Sequence, residues 1–291
     1  MHIAIHGKVF QKEIRKYIQD LFTCLKKHNI EACVSASFYK VLKKSLIKHI
    51  PENIYEKPNE LKNCQFFLSL GGDGTLLETV THVGALEIPI VGINTGRLGF
   101  LATHSPSQIK NLLKNLTEGF YSIEERTLLH LESNKDIFEG YPFALNDFTI
   151  TKRDTASMIT VHTYIDGEYL NSYWADGLII ATPTGSTGYS LSCGGPLILP
   201  RSNNFVITPV SPHNLTVRPM VISDESVISF EIEGRSKNFL VSLDSRSRVI
   251  DASVQLAISK EKFKAKIVKA NDTNFLDTLR SKLNWGWDAR N

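Results

Sequence analysis

At 291 residues the chain is long enough for about two domains, and 42% apolar with 22% charged residues is the composition of a globular protein. A net charge of +3 is too small to argue for a nucleic-acid partner, and no apolar run approaches the roughly 18 residues of a membrane span. Four cysteines without CxxC spacing read as reduced thiols. With an N-terminus that looks like a first strand and not a signal peptide, they point to a soluble cytoplasmic protein that binds neither nucleic acid nor membrane.

His2 to Gly7 is a predicted strand, and Ile14, Tyr17, Ile18, Leu21, Phe22 and Leu25 then recur at helical spacing. Glu31 to Phe38 carries a second strand, and Val41, Leu42, Leu46, Ile47 and Ile50 suggest a helix ended by Pro51. The apolar run from Phe66 to Leu70 leads into Gly71-Gly72-Asp73-Gly74-Thr75, after which Leu76, Leu77, Val80 and Val83 return to helical spacing. The glycines therefore lie at a strand-to-helix turn. They predict a backbone free to take positive φ and to approach a ligand closely. The N–H groups and dipole of the following helix favour a phosphate there. A carboxylate inside an anion site needs a task, so Asp73 could bind a metal ion or take a proton from an attacking hydroxyl.

Ile88 to Ile93 is a further strand, followed by the glycine-rich loop Asn94-Thr95-Gly96-Arg97-Leu98-Gly99-Phe100. Ser105-Pro106-Ser107-Gln108 predicts a helix start, continued by Ile109, Leu112, Leu113 and Leu116 and ended by Gly119. This is a Rossmann-like, three-layer α/β domain with a parallel sheet, over residues 1–120. Ligands in such sheets bind beyond the carboxyl ends of the strands, where the turn at 71–75 and the loop at 94–99 both lie.

After about residue 120 helical periodicity gives way to strand-like alternation. Ile159, Val161, Thr163 and Ile165 alternate before the hairpin signal Asp166-Gly167. Leu178 to Ala181 is a buried strand, and Ile228, Phe230, Ile232 and then Phe239, Val241, Leu243 alternate again. Val254 to Ser259 and Phe263 to Val268 are short strands. Residues 121–270 thus form a second domain, a mostly antiparallel β-sandwich. The tail, 271–291, carries an apolar stripe from Asn274 to Leu283 and is expected to be a helix packing back on the first domain.

Several stretches carry chemistry. The turn at 71–75 is neither a Walker A loop nor GxGxxG, since no Lys-Ser/Thr pair follows it and the glycine spacing differs. Ala175-Asp176-Gly177 opens a buried strand that emerges into Thr182-Pro183-Thr184-Gly185-Ser186-Thr187-Gly188-Tyr189-Ser190-Leu191-Ser192, rich in hydroxyl and backbone hydrogen-bonding groups. Tyr189 adds a flat face for a base. Asn146-Asp147 and Asp244 read alone as turn residues. The nine histidines show no HExxH or paired ligand spacing, so no protein metal site is assigned, and His82 reads as a partly buried structural residue.

Together, Gly71 to Thr75, Asn146-Asp147, Asp176-Gly177 and the run through Ser190 resemble the NAD kinases of bacterial type, as does the loop Asn94 to Leu101. The glycine turn alone is shared with 6-phosphofructokinases and diacylglycerol or sphingoid-base kinases; the hydroxyl-rich run is the more specific part. The resemblance implies ATP-dependent phosphorylation of the 2′-hydroxyl of the adenosine ribose of NAD, giving NADP. It implies Asp73 as proton acceptor. It also implies NAD contacts from Asp73, Gly74, Asn146, Asp147, Asp176, Thr184, Thr187, Gly188, Tyr189, Ser190, Leu191 and Ser192. Gly71, Gly72, Gly74 and Thr75 would meet phosphate of ATP, or of polyphosphate in its place. A divalent ion, Mg²⁺, would bridge the triphosphate, and the chain would form a homodimer or homotetramer. Gly188 stands where alanine is usual and Asp147 where Glu is commoner. Glu78, Ser157 and Arg246 also depart from the pattern, which bears on substrate preference and not on the fold. The competing readings are a non-catalytic NAD(H)-binding module and a lipid or sugar kinase sharing only the glycine turn.

Overall fold

A computed structural model describes residues 1–96, 99–153, 157–269 and 275–286. Arg97 and Leu98 of the second glycine loop and Asn274 of the tail lie outside the described residues. The chain divides into two compact units, one of residues 1–125 with 265–291 and one of residues 126–264.

The first unit begins with β1 (His2–Gly7), α1 (Arg15–Lys27) and β2 (Glu31–Ser35), followed by α2 (Ala36–Lys44) and β3 (Ile54–Tyr55). Strand β2 is shorter, and α2 earlier, than the sequence reading placed them. The reason is Ser35, whose hydroxyl accepts the Phe38 N–H at 3.3 Å and caps the helix. The Ala36-Ser37-Phe38 alternation that looked like strand is the first helical turn, and Leu46, with φ of 53°, lies beyond the helix end. Then come β4 (Phe66–Gly71), α3 (Asp73–Val83), β5 (Ile90–Asn94), α4 (Ile109–Glu118) and β6 (Ser122–Arg126). The capping box at Ser105 and Gln108 is present before α4, and Gly119 closes it in the left-handed region with φ of 80°.

The second unit holds β7 (Leu129–Ser133), β8 (Phe143–Ala144), β9 (Asp147–Lys152), β10 (Ile159–Ile165), β11 (Glu168–Ala175) and β12 (Gly177–Ala181). After the one-turn helix α5 (Tyr189–Ser192) follow β13 (Asn204–Val210), β14 (Met220–Ser223), β15 (Ile228–Gly234), β16 (Asn238–Leu243), β17 (Arg246–Asp251) and β18 (Leu256–Lys260). Strand β19 (Ala265–Lys269) and helix α6 (Phe275–Leu283) complete the chain.

The first sheet has seven strands in the order β3-β2-β1-β4-β5-β19-β6, parallel from β3 through β19. Strand β19, grouped with the β-rich region on sequence alone, thus pairs with β5 in the first unit. Its short alternation looks alike in either sheet, and only the pairing partner distinguishes them. Apolar side chains of β1, β2, β4 and β5 pack against α1, α2 and α4 in one core. Helix α6 packs on the same unit, with Lys282 Nζ 4.7 Å from the centroid of the Phe100 ring. In the second unit, six-stranded sheets ordered β11-β10-β15-β18-β7-β8 and β14-β13-β12-β9-β16-β17 enclose a core that includes Phe148, Ile180, Phe205, Phe230 and Phe239. Asp166 and Gly167, with φ of 53° and 85°, make the predicted tight hairpin between β10 and β11. Among the described residues no helix is long and apolar enough to cross a membrane.

Candidate active site

In the first unit β4 delivers the glycine turn to the N-terminus of α3, where the opening N–H groups have no intrahelical acceptor. The glycines do not serve the conformational purpose expected of them. None of Gly71, Gly72 and Gly74 has positive φ. They matter for the missing Cβ. A Cβ on Gly71 would stand 2.1 Å from Thr75 Oγ1, so Gly71 lets the buried Thr75 fold back over the strand end. Gly72 and Gly74 face open space, with no atom within 4 Å of where a Cβ would be. That leaves the helix terminus bare to an incoming group.

Asp73 does not point into an empty anion site. Its Oδ2 accepts the Phe100 N–H at 2.7 Å, and its Oδ1 accepts those of Leu101 and Ala102, both at 3.0 Å. The second glycine loop is therefore clipped to the first through this carboxylate. A Cβ on Gly99 would lie 1.8 Å from Asp73 Oδ1, so the clip requires glycine there. Oδ1 is fully used, whereas Oδ2 keeps one acceptor position.

In the second unit Asn146 and Asp147 enter β9 beside the turn after β12. Thr182 donates its N–H to the Asn146 carbonyl at 2.9 Å and its hydroxyl to the Leu145 carbonyl at 2.6 Å. Gly185 passes so close that a Cβ would sit 2.0 Å from the Asn146 carbonyl oxygen. Asn146 Nδ2 and Asp147 Oδ2 both lie 3.8 Å from the Cβ position of Gly188, which gathers these three residues at one place. Asn146 Oδ1 is buried with no hydrogen-bond partner. A buried acceptor left empty costs about 1–3 kcal/mol, so it awaits a donor. Burial, and then the Asp244 charge, push the Asp147 carboxyl up to about 7.

Asp244, read on sequence as a turn residue, is the organiser of this corner. Its carboxylate accepts the N–H groups of Leu145, Asn146 and Asp147 at 3.0, 2.7 and 3.2 Å. Burial pushes its carboxyl up as well, but those donors and the neighbouring Arg246 oppose it. Among the described residues no such set of donors reaches the Asp147 carboxyl, and burial is the main cause of its rise.

The remaining residues divide. Tyr189 is 44% exposed, Ser192 is exposed and Leu191 half-buried. Thr187 Oγ1 donates to the Thr184 carbonyl at 3.3 Å. Thr184 is buried and accepts from Arg126 Nη1 at 3.2 Å, and Ser190 Oγ is 2.8 Å from Thr208 Oγ1, so both hydroxyls hold the loop together. Asp176 pairs with Lys152 at 2.6 Å. Gly99, Gly185 and Asp244 were not singled out as site residues from sequence; for Gly99 the recurrent glycines of its loop were the available signal.

A family profile described as the ATP-NAD kinase N-terminal domain matches residues 3–121, and one described as the ATP-NAD kinase C-terminal domain matches residues 145–270. The chain belongs to the ATP-NAD kinase family. It is a phosphotransferase, and NAD is the acceptor in its family's reaction. It is 52% identical to the NAD kinase of Cytophaga hutchinsonii and 46% identical to that of Flavobacterium psychrophilum, with 100% of each chain covered in both cases. An NAD kinase from Archaeoglobus fulgidus, solved in complex with ATP, matches with a TM-score of 0.76 and 28% identity over 98% of this chain and 99% of that one. Yeast NADH kinase, solved with NADH, shares the fold at a TM-score of 0.87 and 21% identity, over 99% of this chain and 88% of that one.

Proposed function

We propose that this family member transfers the terminal phosphoryl group of ATP to the 2′-hydroxyl of the adenosine ribose of NAD, with Asp73 as proton acceptor. The observation that carries the assignment of Asp73 is the single acceptor position left on Oδ2 of a carboxylate otherwise immobilised by three N–H groups. A base held this way presents one lone pair in one direction. The ribose O–H bond breaks toward Oδ2 as the oxygen bonds phosphorus and the bond to the leaving ADP opens. Such transfers depend on positioning and charge more than on covalent help from the protein.

Gly72 and Gly74 leave the start of α3 open to phosphate, and Gly71 and Thr75 shape the turn beneath it. Adenosine is held in the second unit. The empty Oδ1 of Asn146 takes an N–H of the base, the Asp147 carboxyl meets a ribose hydroxyl, and the Tyr189 ring stacks. Thr187, Gly188, Leu191 and Ser192 border this place, and Thr184 and Ser190 support it from behind. Asp176 is assigned to the nicotinamide end or to a neighbouring subunit. The one acceptor position on Asp73, the turn's only carboxylate, faces the ribose, which fits a hard Mg²⁺ ion that would be carried in by the triphosphate and not caged by protein. That ion supplies charge neutralisation on the phosphate oxygens. The enzyme works in the cytoplasm as a homodimer or homotetramer.

The same three hydrogen bonds favour a second reading, in which Asp73 acts only by clipping the loop at 99–102. Asp73→Asn separates the two. A loss of kcat by about 10³-fold with a little-changed KM for ATP supports the base. A lowered melting temperature with a raised KM for ATP and a modest change in kcat supports the clip alone. Assays with NADH and with polyphosphate, run in parallel, define the acceptor and donor range.

A further inference from the structure

His6, Glu78 and His82 meet in the first unit although two of them are separated from the third by about a quarter of the chain. His6 stands on β1, and Glu78 and His82 lie one turn apart on α3. One ligand atom from each lies within 4.8 Å of the other two. His6 is 1% exposed, and its Nε2 is buried with no hydrogen-bond partner. It faces Glu78 Oε1 across 3.5 Å, too far for a good hydrogen bond. Two ligands held about 2.1 Å from a tetrahedral ion lie about 3.4 Å apart. The gap that is long for a hydrogen bond matches the edge of a metal tetrahedron.

The surroundings are those of ligating imidazoles. Ser35 Oγ lies 2.8 Å from His6 Nδ1, and the Tyr55 hydroxyl lies 3.0 Å from His82 Nδ1. Metal-binding histidines are commonly oriented by such a contact at the other ring nitrogen, and with the proton on Nδ1 the inward Nε2 of His6 keeps its lone pair. Lys8 pairs with Glu78 through Oε2 at 2.7 Å, so Oε1 stays turned toward His6. Glu78 is 37% exposed on its side chain, which leaves a way in for an ion and a fourth position for water.

We propose that His6, Glu78 and His82 form a transition-metal site of the Zn²⁺ class that ties α3 to β1. Two imidazoles and one carboxylate suit Zn²⁺ and Co²⁺, whereas Mg²⁺ takes oxygen ligands, so this site is distinct from any nucleotide-borne ion. Its occupant braces the helix that begins at Asp73.

The test uses the full chain, stripped of metal by a chelator and free of nucleotide, titrated with Co²⁺ and then Zn²⁺. Tetrahedral Co²⁺ absorption saturating at one equivalent, its displacement by Zn²⁺ and a rise in melting temperature with Zn²⁺ are expected. Glu78→Gln and His82→Phe should each weaken Co²⁺ binding by about 100-fold, while Asp73→Asn leaves it unchanged. Glu78 is partly exposed, so its variant reports on binding without threatening the fold, and the metal-free melting temperature of His82→Phe verifies that one. Absence of the Co²⁺ spectrum overturns the proposal. So does a spectrum that survives both ligand substitutions, or one that Asp73→Asn abolishes.

Discussion

Asp73 and Asp244 are built alike: each carboxylate accepts three consecutive backbone N–H groups, from residues 100–102 in the first unit and 145–147 in the second. Their surroundings differ. Asp73 opens a helix between two glycines that face open space, and keeps an acceptor position. Asp244 sits in a turn with φ of 53° between β16 and β17, and its charge raises the carboxyl of Asp147. One local device, a carboxylate organising a backbone segment, thus occurs at an open helix start in one unit and in a closed turn in the other. What distinguishes them is the space left beside the carboxylate.

The contrast can be broken most sharply at Gly99. Gly99→Ala puts a methyl group where Asp73 Oδ1 now lies, so carboxylate or loop must move. A displacement of about 1 Å at a reacting group costs about 10²-fold, and steady-state kinetics should show it mainly in kcat. Asp244→Ala strikes the scaffold instead. It strands three N–H groups at about 1–3 kcal/mol each, and about 4 kcal/mol of stability should be lost in urea titrations. The KM for NAD should rise as Asn146 and Asp147 lose their support. Asp244→Asn, which keeps one acceptor oxygen, should lose about half as much.

The Asp147 carboxyl sharpens the comparison through pH. Its folded value of about 7 lies above the unfolded carboxylate range, so between about pH 4 and pH 7 the folded chain holds one more proton than the unfolded one. The stability from this group is complete below that window and lost as pH rises through it. Asp147→Asn removes the titration, so the variant should gain on the wild type by about 4 kcal/mol between pH 4 and pH 8, measured by denaturant melts across that range. The smallest effect is expected at Gly188. Its φ is not positive, and a Cβ would meet the Gly185 carbonyl oxygen at 3.2 Å and Asn146 Nδ2 and Asp147 Oδ2 at an ordinary contact distance of 3.8 Å. Gly188→Ala should change stability by less than about 0.5 kcal/mol, and the KM for NAD little.

Much of this was readable along the chain. Capping residues, the hairpin at Asp166-Gly167 and buried strands such as β4 and β12 are local, since each depends on neighbours a few positions away. Asp73 was also readable, because a carboxylate among glycines at a strand-to-helix turn is chemically anomalous. Asp244 was not, because a turn aspartate has the same local signature whether or not three N–H groups from about a hundred positions away converge on it. His6, Glu78 and His82 were missed for a related reason. The Glu78–His82 spacing of four was visible, but without His6 it describes an ordinary helix face.

The sequence by itself determined that an α/β region with two glycine loops precedes an antiparallel β region, and that the first glycine turn carries a carboxylate. Hydrophobic periodicity and turn chemistry are short-range, so they survive in one dimension. Only the tertiary structure decided that the two glycine loops are one device joined through Asp73, and that its glycines supply room and not positive φ. Only it decided that β19 returns to the first sheet and that burial pushes the Asp147 carboxyl well above the carboxylate range. Each of these depends on groups far apart in the chain meeting at hydrogen-bond distance or in a shared low-dielectric pocket, and chain spacing carries no record of such meetings.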